Sequence, residues 1–456
     1  MTGFFLNPAP YACLLSLLTV PFLYFLLAQG YSKSKKSEIG RSRYGKNFLR
    51  VVVILAILVI AFTENRVAII SLVITVFSIL VITEKSSKLR LRRVVVFIPL
   101  FLIFVVGFSF FFKKESSEGR LFIWKIAINY NNKNLETIIR GNGYDFFERK
   151  YNLIQMDYFK AHPDVNSKEA LLAGNGGIAY NELVDGYINY GLIGVLFYIG
   201  VVVWVYYSYY RNYERGDFRF HITFLLLQCF FVHSLISYPL NSLMVTNKLI
   251  LFYSIVYFSF LNIEIEKRKM SYVIKQSFVL RLLIIILICF TLFKINNIYS
   301  RYKEWGEADF LYRQDDLQST ATLLRNVYPD MKYSGKFLAY YGRLLYLKKE
   351  NQKAIVVLNE SKSYSADPIV YYTLGQCYFA IGQHAMAESY LTDSKFISPN
   401  RLFPKYLLFK FYIGINNRKK AKELAKEIIE TKEKIISPAM IEMKKNAEKV
   451  LQNQNF

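Results

Sequence analysis

The chain has 456 residues, 53% of them hydrophobic and 17% aromatic, with a mean hydropathy of +0.21 and a formal net charge of +24. That is too apolar for one soluble domain. The excess charge sits in short turns between apolar runs rather than on one basic face, which sets nucleic acid aside as a partner.

Taken in chain order, apolar runs of about the length a bilayer requires fall near residues 10–30, 49–63, 67–83 and 94–112, then 191–210, 220–236, 246–262 and 277–297. They show almost no polar face at a helical period, unlike the surface helices of a soluble core. The second, sixth and seventh are short or interrupted by polar residues. The turns at 32–50, 84–93, 211–219 and 263–276 hold 7, 5, 3 and 4 basic residues, whereas 64–66 holds only Arg66 and 237–247 holds none. This Lys/Arg bias puts the four basic turns in the cytoplasm. The polar island 113–190 and the tail after about residue 298 are then outside, in the periplasm of a bacterium. The island carries no net charge and the tail carries +8, so most of the excess is a topology signal. Met1 also falls outside. The segment MTGFFLNPAPYACLLSLL lacks the basic start of a secretory signal, and an outside start is awkward with no preceding segment, so something is expected upstream.

From about Arg301 the pattern changes to amphipathic helices at a regular repeat. Leu374, Gly375, Tyr378, Gly382, Ala387, Leu391 and Pro399 fall at tetratricopeptide spacing, and Ala354, Ala387 and Ala421 mark neighbouring units 33 and 34 residues apart. Helices within 371–398 are expected to stack on those of 336–364 and 402–430, burying Leu374, Tyr378, Ala387 and Leu391. Such repeats bind a protein partner or dock on their own chain, and they do no chemistry.

The four cysteines (Cys13, Cys229, Cys289, Cys377) and four histidines (His162, His221, His233, His384) form no CxxC, HxxxH or HExxH spacing. No metal and no cofactor is therefore expected. His233 reads as a packed polar residue, and Gly141-Asn142-Gly143 as a turn, since it lacks the strand–helix context of a phosphate loop.

The expected fold class is all-α. It comprises a polytopic membrane bundle of about eight spans, a large periplasmic loop and a C-terminal tetratricopeptide-like solenoid. The segments are 1–112 (N-terminal spans), 113–190 (loop with the candidate site), 191–299 (C-terminal spans) and 300–456 (repeats).

Eight short strings stand in a fixed order: GFFLNPAPYA, NRVAIISL, GRLFIW, RGNGYDFFERKY, QMDYF, LLAGN, AYNELVDGYINYGLIG and SLISYPL. In that order, and on predicted outer turns, they give the segment from about residue 2 to 300 a similarity to the O-antigen ligase / O-antigen polymerase family of membrane glycosyltransferases. The resemblance extends to the variant with C-terminal tetratricopeptide repeats, and it implies that this chain lacks the family's N-terminal spans. It implies transfer of a glycan from an undecaprenyl-diphosphate carrier to a lipid or sugar acceptor, without a metal, at the bacterial inner membrane.

A diphosphate leaving group needs fixed cations, and arginine supplies bidentate, always-charged contacts. The candidates are Arg66 at the outer end of a span, Arg120 in the GR…W pattern, and Arg140 beside Gly141 and Gly143. Each has a plainer reading as an interfacial or turn-flanking arginine. The family's His-Asn pair aligns on Tyr180-Asn181, with tyrosine replacing histidine, and Asn189 stands where an acid often precedes the GLIG-like turn. Glu182 is the candidate to accept the acceptor's proton. Tyr180 is a donor or sugar-stacking surface, not a base.

Other readings share part of this pattern. A repeat-unit polymerase and a protein O-oligosaccharyltransferase use the same donor. A non-catalytic scaffold would explain the missing histidine, and a transporter is disfavoured by the scarcity of paired charges in the spans.

Overall fold

A computed structural model describes residues 8–28, 43–63, 65–83, 114–163, 168–240, 245–267, 298–431 and 437–452, together with positions 286 and 290. Among these residues every element is helical. The predicted spans 94–112 and 277–297 lie outside the described residues, apart from positions 286 and 290.

The chain divides into two compact units. One contains Met1–Ser117, Glu136–Gly141 and Ile178–Val273, and the other Glu118–Leu135, Asn142–Gly177 and Ile274–Phe456. The island read as one loop is thus shared out between two bodies.

In the first unit, α1 (Pro8–Leu27), α2 (Arg43–Phe62) and α3 (Arg66–Ile82) precede a short α5 (Leu135–Arg140); α8 (Glu182–Asn212), α9 (Phe218–Ile236) and α10 (Val245–Lys267) complete it. Among the described residues, four helices are long and apolar enough to cross a membrane: the 10–27 part of α1, α8, most of α9, and the 248–265 part of α10; α2 and α3 contribute shorter apolar stretches. Helix α9 is the innermost, with 72% of its apolar window buried against 22% for α8, and it packs on α1, α3, α8 and α10.

The seam between α3 and α9 is lined by small hydroxyl residues. Ser71, Thr75 and Ser78 are all buried, and Gln228 of α9 donates to Ser78 Oγ at 2.8 Å. Ser71 and Thr75 also return their hydroxyls to the carbonyls of Ala68 and Ser71. Small side chains of this kind let apolar helices approach closely while satisfying their own polar groups.

In the second unit, α4 (Lys114–Asn131, all but its first turn), α6 (Phe146–Ala161) and α7 (Lys168–Leu172) accompany helical residues 298–313 and the helices of the repeats. These are α11 (Leu317–Met331), then α12 (Gly335–Leu347) with α13 (Asn351–Lys362), α14 (Pro368–Ala380) with α15 (His384–Ile397), α16 (Leu402–Gly414) with α17 (Arg418–Glu430), and α18 (Pro438–Gln452). The tandem pairs are joined as the repeat spacing predicts: α14 packs on α15, and these pack on α13 and α16.

The small residues explain why. A Cβ at Gly375 would stand 2.6 Å from Leu391 Cγ, and one at Gly342 would stand 2.5 Å from Leu358 Cγ, an equivalent crossing one repeat earlier. Ala354, Ala387 and Ala421 are each fully buried, as are Leu374 and Leu391 to within 2%. Tyr378 departs from expectation: it is half-buried and stacks on Tyr390 at 5.4 Å, covering the core rather than filling it.

Candidate functional site

Helix α8 begins because Asn181, in an extended conformation (φ −158°), accepts hydrogen bonds from Leu183 N (2.8 Å) and Val184 N (3.1 Å) on its side-chain oxygen. That is the ordinary chemistry of an N-cap. The other end of the same amide donates to Leu235 O at 2.9 Å, at the end of α9. Both ends of the Asn181 side chain are thus committed to holding α8 against α9.

The neighbouring residues grip the same segment. Glu182 Oε1 accepts from Leu240 N at 2.6 Å, and the Tyr180 ring meets Tyr238 edge-on at 5.1 Å. Three consecutive residues therefore each hold a different point of 235–240, so the AYNE and SLISYPL strings become one surface. Tyr180 sits at φ +57°, a region costly for a residue with a side chain.

A second pair of strings meets through glycine. Gly191 (φ +63°) breaks α8, and a Cβ there would lie 2.4 Å from Ile139 C and O and 2.6 Å from Arg140 N. Gly141 (φ +72°) reciprocates, its Cβ position being 2.4 Å from Asn189 C and Tyr190 N. Backbone lies directly on backbone, which only glycine at both positions permits. This puts the backbone of Arg140 against the break in α8, about 14 Å of helical rise from Glu182. Arg140 itself closes α5, where a cation suits the helix dipole, and its side chain is exposed.

One turn before Asn189 stands the carboxylate of Asp185. Asp185 Oδ2 accepts from Asn189 Nδ2 at 2.8 Å, and Asn189 is buried.

Arg66 is the first residue of α3, capped by Asn65, whose oxygen accepts from Ala68 N at 3.1 Å. A cation at a helix N-terminus is opposed by the helix dipole. Arg66 is half-buried.

Arg120 belongs to the other unit. It is half-buried on α4, whose neighbours are fixed by ion pairs: Glu118 with Lys168 at 2.8 Å, and Lys125 with Glu169 at 2.7 Å. Glu169 also accepts from Tyr158, and Phe122 packs on Tyr158 and Phe159. Lys125, then Tyr158, holds the Glu169 carboxyl below the usual carboxylate range.

Of the six residues singled out in the sequence, Tyr180, Asn181 and Glu182 come together on one turn and Arg140 joins the same helix further along; Arg66 opens α3, and Arg120 belongs to the second unit. Sequence reading missed Asp185 and the Gly191 break, although a glycine inside an apolar helix next to NY was the available signal. His233 is 1% exposed, with Nδ1 3.0 Å from Cys229 O and Nε2 3.4 Å from Ser16 Oγ and 3.5 Å from Ser71 Oγ. It is a packed polar residue. Among the described residues, no group of three or more His, Cys, Asp or Glu could hold a metal.

No protein-family model and no curated protein matches this chain. Among solved structures, the crystal structure of MamA protein is similar at 16% identity over 33% of this chain and 88% of that one, with a TM-score of 0.28. A likeness at that score carries no argument, and the helical repeats rest on the packing described above.

Proposed function

We propose that this protein is a membrane glycosyltransferase that moves a glycan from an undecaprenyl-diphosphate carrier to a lipid or sugar acceptor at the outer face of the bacterial inner membrane. The observation that carries the reading is the convergence at the start of α8. Two of the strings behind the family resemblance, AYNELVDGYINYGLIG and SLISYPL, meet there, with a strained tyrosine and a carboxylate side by side.

The reaction is a displacement at the anomeric carbon. The acceptor oxygen forms a bond to that carbon, the bond from carbon to diphosphate oxygen breaks, and undecaprenyl diphosphate leaves with the electron pair. Glu182 takes the acceptor's proton through Oε2, since Oε1 is held by Leu240 N. Tyr180 orients the sugar by stacking or donation, while Asn181 keeps both on the rigid start of α8. The family resemblance assigns the diphosphate, where charge develops in the transition state, to arginine; of its candidates Arg66, Arg120 and Arg140, the first and last share a unit with Glu182. The repeat domain is periplasmic in this reading.

Deletion of the gene, followed by analysis of surface polysaccharide and lipid-linked glycan, tests the function. Accumulation of full-length undecaprenyl-linked chains identifies a ligase, and loss of chain length identifies a repeat-unit polymerase. Unchanged polysaccharide and carrier pools would overturn the reading.

A further inference from the structure

The repeat unit contains a helix that is not a repeat. Helix α6 lies along α15 and reaches the turns that join successive helix pairs. Two buried amides on one face of α6, three residues apart, make the connection. Asn152 Nδ2 donates to Ala366 O (3.0 Å), in the turn before α14, and to Asn175 Oδ1 (2.7 Å). Gln155 Nε2 donates to Ile397 O (2.7 Å), at the last residue of α15, and to Gly174 O (3.0 Å).

Their oxygens are occupied as well, by Gly176 N at 2.9 Å and Tyr151 Oη at 3.1 Å. Asn152 and Gln155 are 2% and 1% exposed. The carbonyl of Ile397 is one of those that a helix leaves without an internal partner at its C-terminus, and Gln155 supplies the donor.

Apolar and charged contacts follow the same line. Met156 is buried in the same cluster as Leu324, Phe337, Leu344 and Leu374 of the repeats. Lys160 pairs with Asp393 at 2.7 Å, and Glu148 with Lys336 at 3.6 Å. Helix α6 is therefore held at three successive points along the repeats: the start of α12, the turn before α14 and the end of α15.

We propose that the edge of the repeats formed by these points is a clamp whose ligand is this chain's own helix α6, so that the repeats act by holding the 142–177 segment rather than by recruiting a second protein. The segment 174–176 is threaded between α6 and the repeats as part of the same contact. A Cβ at Gly176 would stand 2.5 Å from Tyr151 Cε1, so the threading depends on glycine there. The inference is independent of the transferase reading, because it concerns what orders the segment and not what the segment does.

The test uses the full-length protein in lipid nanodiscs and hydrogen exchange read by mass spectrometry. Asn152→Asp with Gln155→Glu keeps side-chain size but sets a carboxylate against two acceptor oxygens at each position. Amides of 146–161 should then exchange at least about tenfold faster, while those of α16 and α17 keep their protection. Lys160→Asp should also speed exchange in α6, and adding Asp393→Lys should restore it. Protection of α6 unchanged in the double variant would overturn the proposal. So would loosening of α6 and α16–α17 in step, which would make α6 a core element rather than a clamped ligand. A charge swap that fails to recover protection would do the same.

Discussion

Replacing Gly191 with alanine tests the assembly of the candidate site at its tightest point. The new Cβ would begin 2.4 Å from the backbone of Ile139, whereas ordinary contact starts near 3.4 Å, so the two backbones must part by about 1 Å. Neither side can yield by rotating a side chain, because the atoms met are backbone C, O and N. Overpacking of this kind costs about 1–3 kcal/mol, and the positive φ adds about 1–3 kcal/mol for a residue with a Cβ. The expected loss is about 2–6 kcal/mol, which at roughly 2–4 °C per kcal/mol lowers Tm by at least about 4 °C. Gly200→Ala is the control on the same helix: a Cβ there meets nothing within 4 Å, so the change should be neutral or stabilise by up to ~1 kcal/mol. Thermal unfolding of both variants in nanodiscs gives the comparison. If Gly191→Ala melts with Gly200→Ala, the backbone contact between 139–141 and 189–191 is not part of the fold.

Other outcomes test the proposed transferase and the packing of the second unit. Arg120→Ala should abolish transfer while the protein still inserts, and Arg120→Lys should leave an intermediate rate, since lysine keeps the charge but loses the planar fork; full activity of the alanine variant would reduce Arg120 to an interface anchor. Ala387→Trp should force apart α14 and α15 at a cost of about 1–3 kcal/mol and raise the protease sensitivity of the tail, since Ala387 is fully buried; an unchanged digestion pattern would refute the shared-interface account. Glu169 has its pKa depressed in the fold by Lys125 and Tyr158, so its contribution is present above the unfolded value of about 4.3 and is lost as pH falls through the lower folded value. Hydrogen exchange in α4 and α7 should therefore rise below about pH 4, and Glu169→Gln should remove that dependence.

Much of the fold was legible because its signals are local. Apolar runs announced the four helices long enough to cross a membrane among the described residues, and alanines and glycines at a fixed period announced the repeats, which Gly375 against Leu391 turns into a close helix crossing. The Gly191 break marks where the apolar run was read to begin. The candidate site was legible only as strings. That Tyr180, Asn181 and Glu182 all grip 235–240 depends on contacts across more than fifty positions of chain, which no periodicity encodes. Asn181, chosen for chemistry, has both ends of its amide spent on architecture. The division of the island between two units was hidden for a similar reason. Asn152 and Gln155 look like ordinary polar loop residues until the carbonyls of Ala366 and Ile397 come within reach.

The most direct test of the central claim is a transfer assay with the purified full-length protein in nanodiscs, supplied with an undecaprenyl-diphosphate-linked glycan and an acceptor. The account predicts release of undecaprenyl diphosphate in equal amount to glycosylated acceptor without added metal, at a rate strongly reduced by Glu182→Gln. Intact donor after incubation across a panel of lipid and sugar acceptors would contradict it, as would a Glu182→Gln variant that transfers at the rate of the unaltered protein.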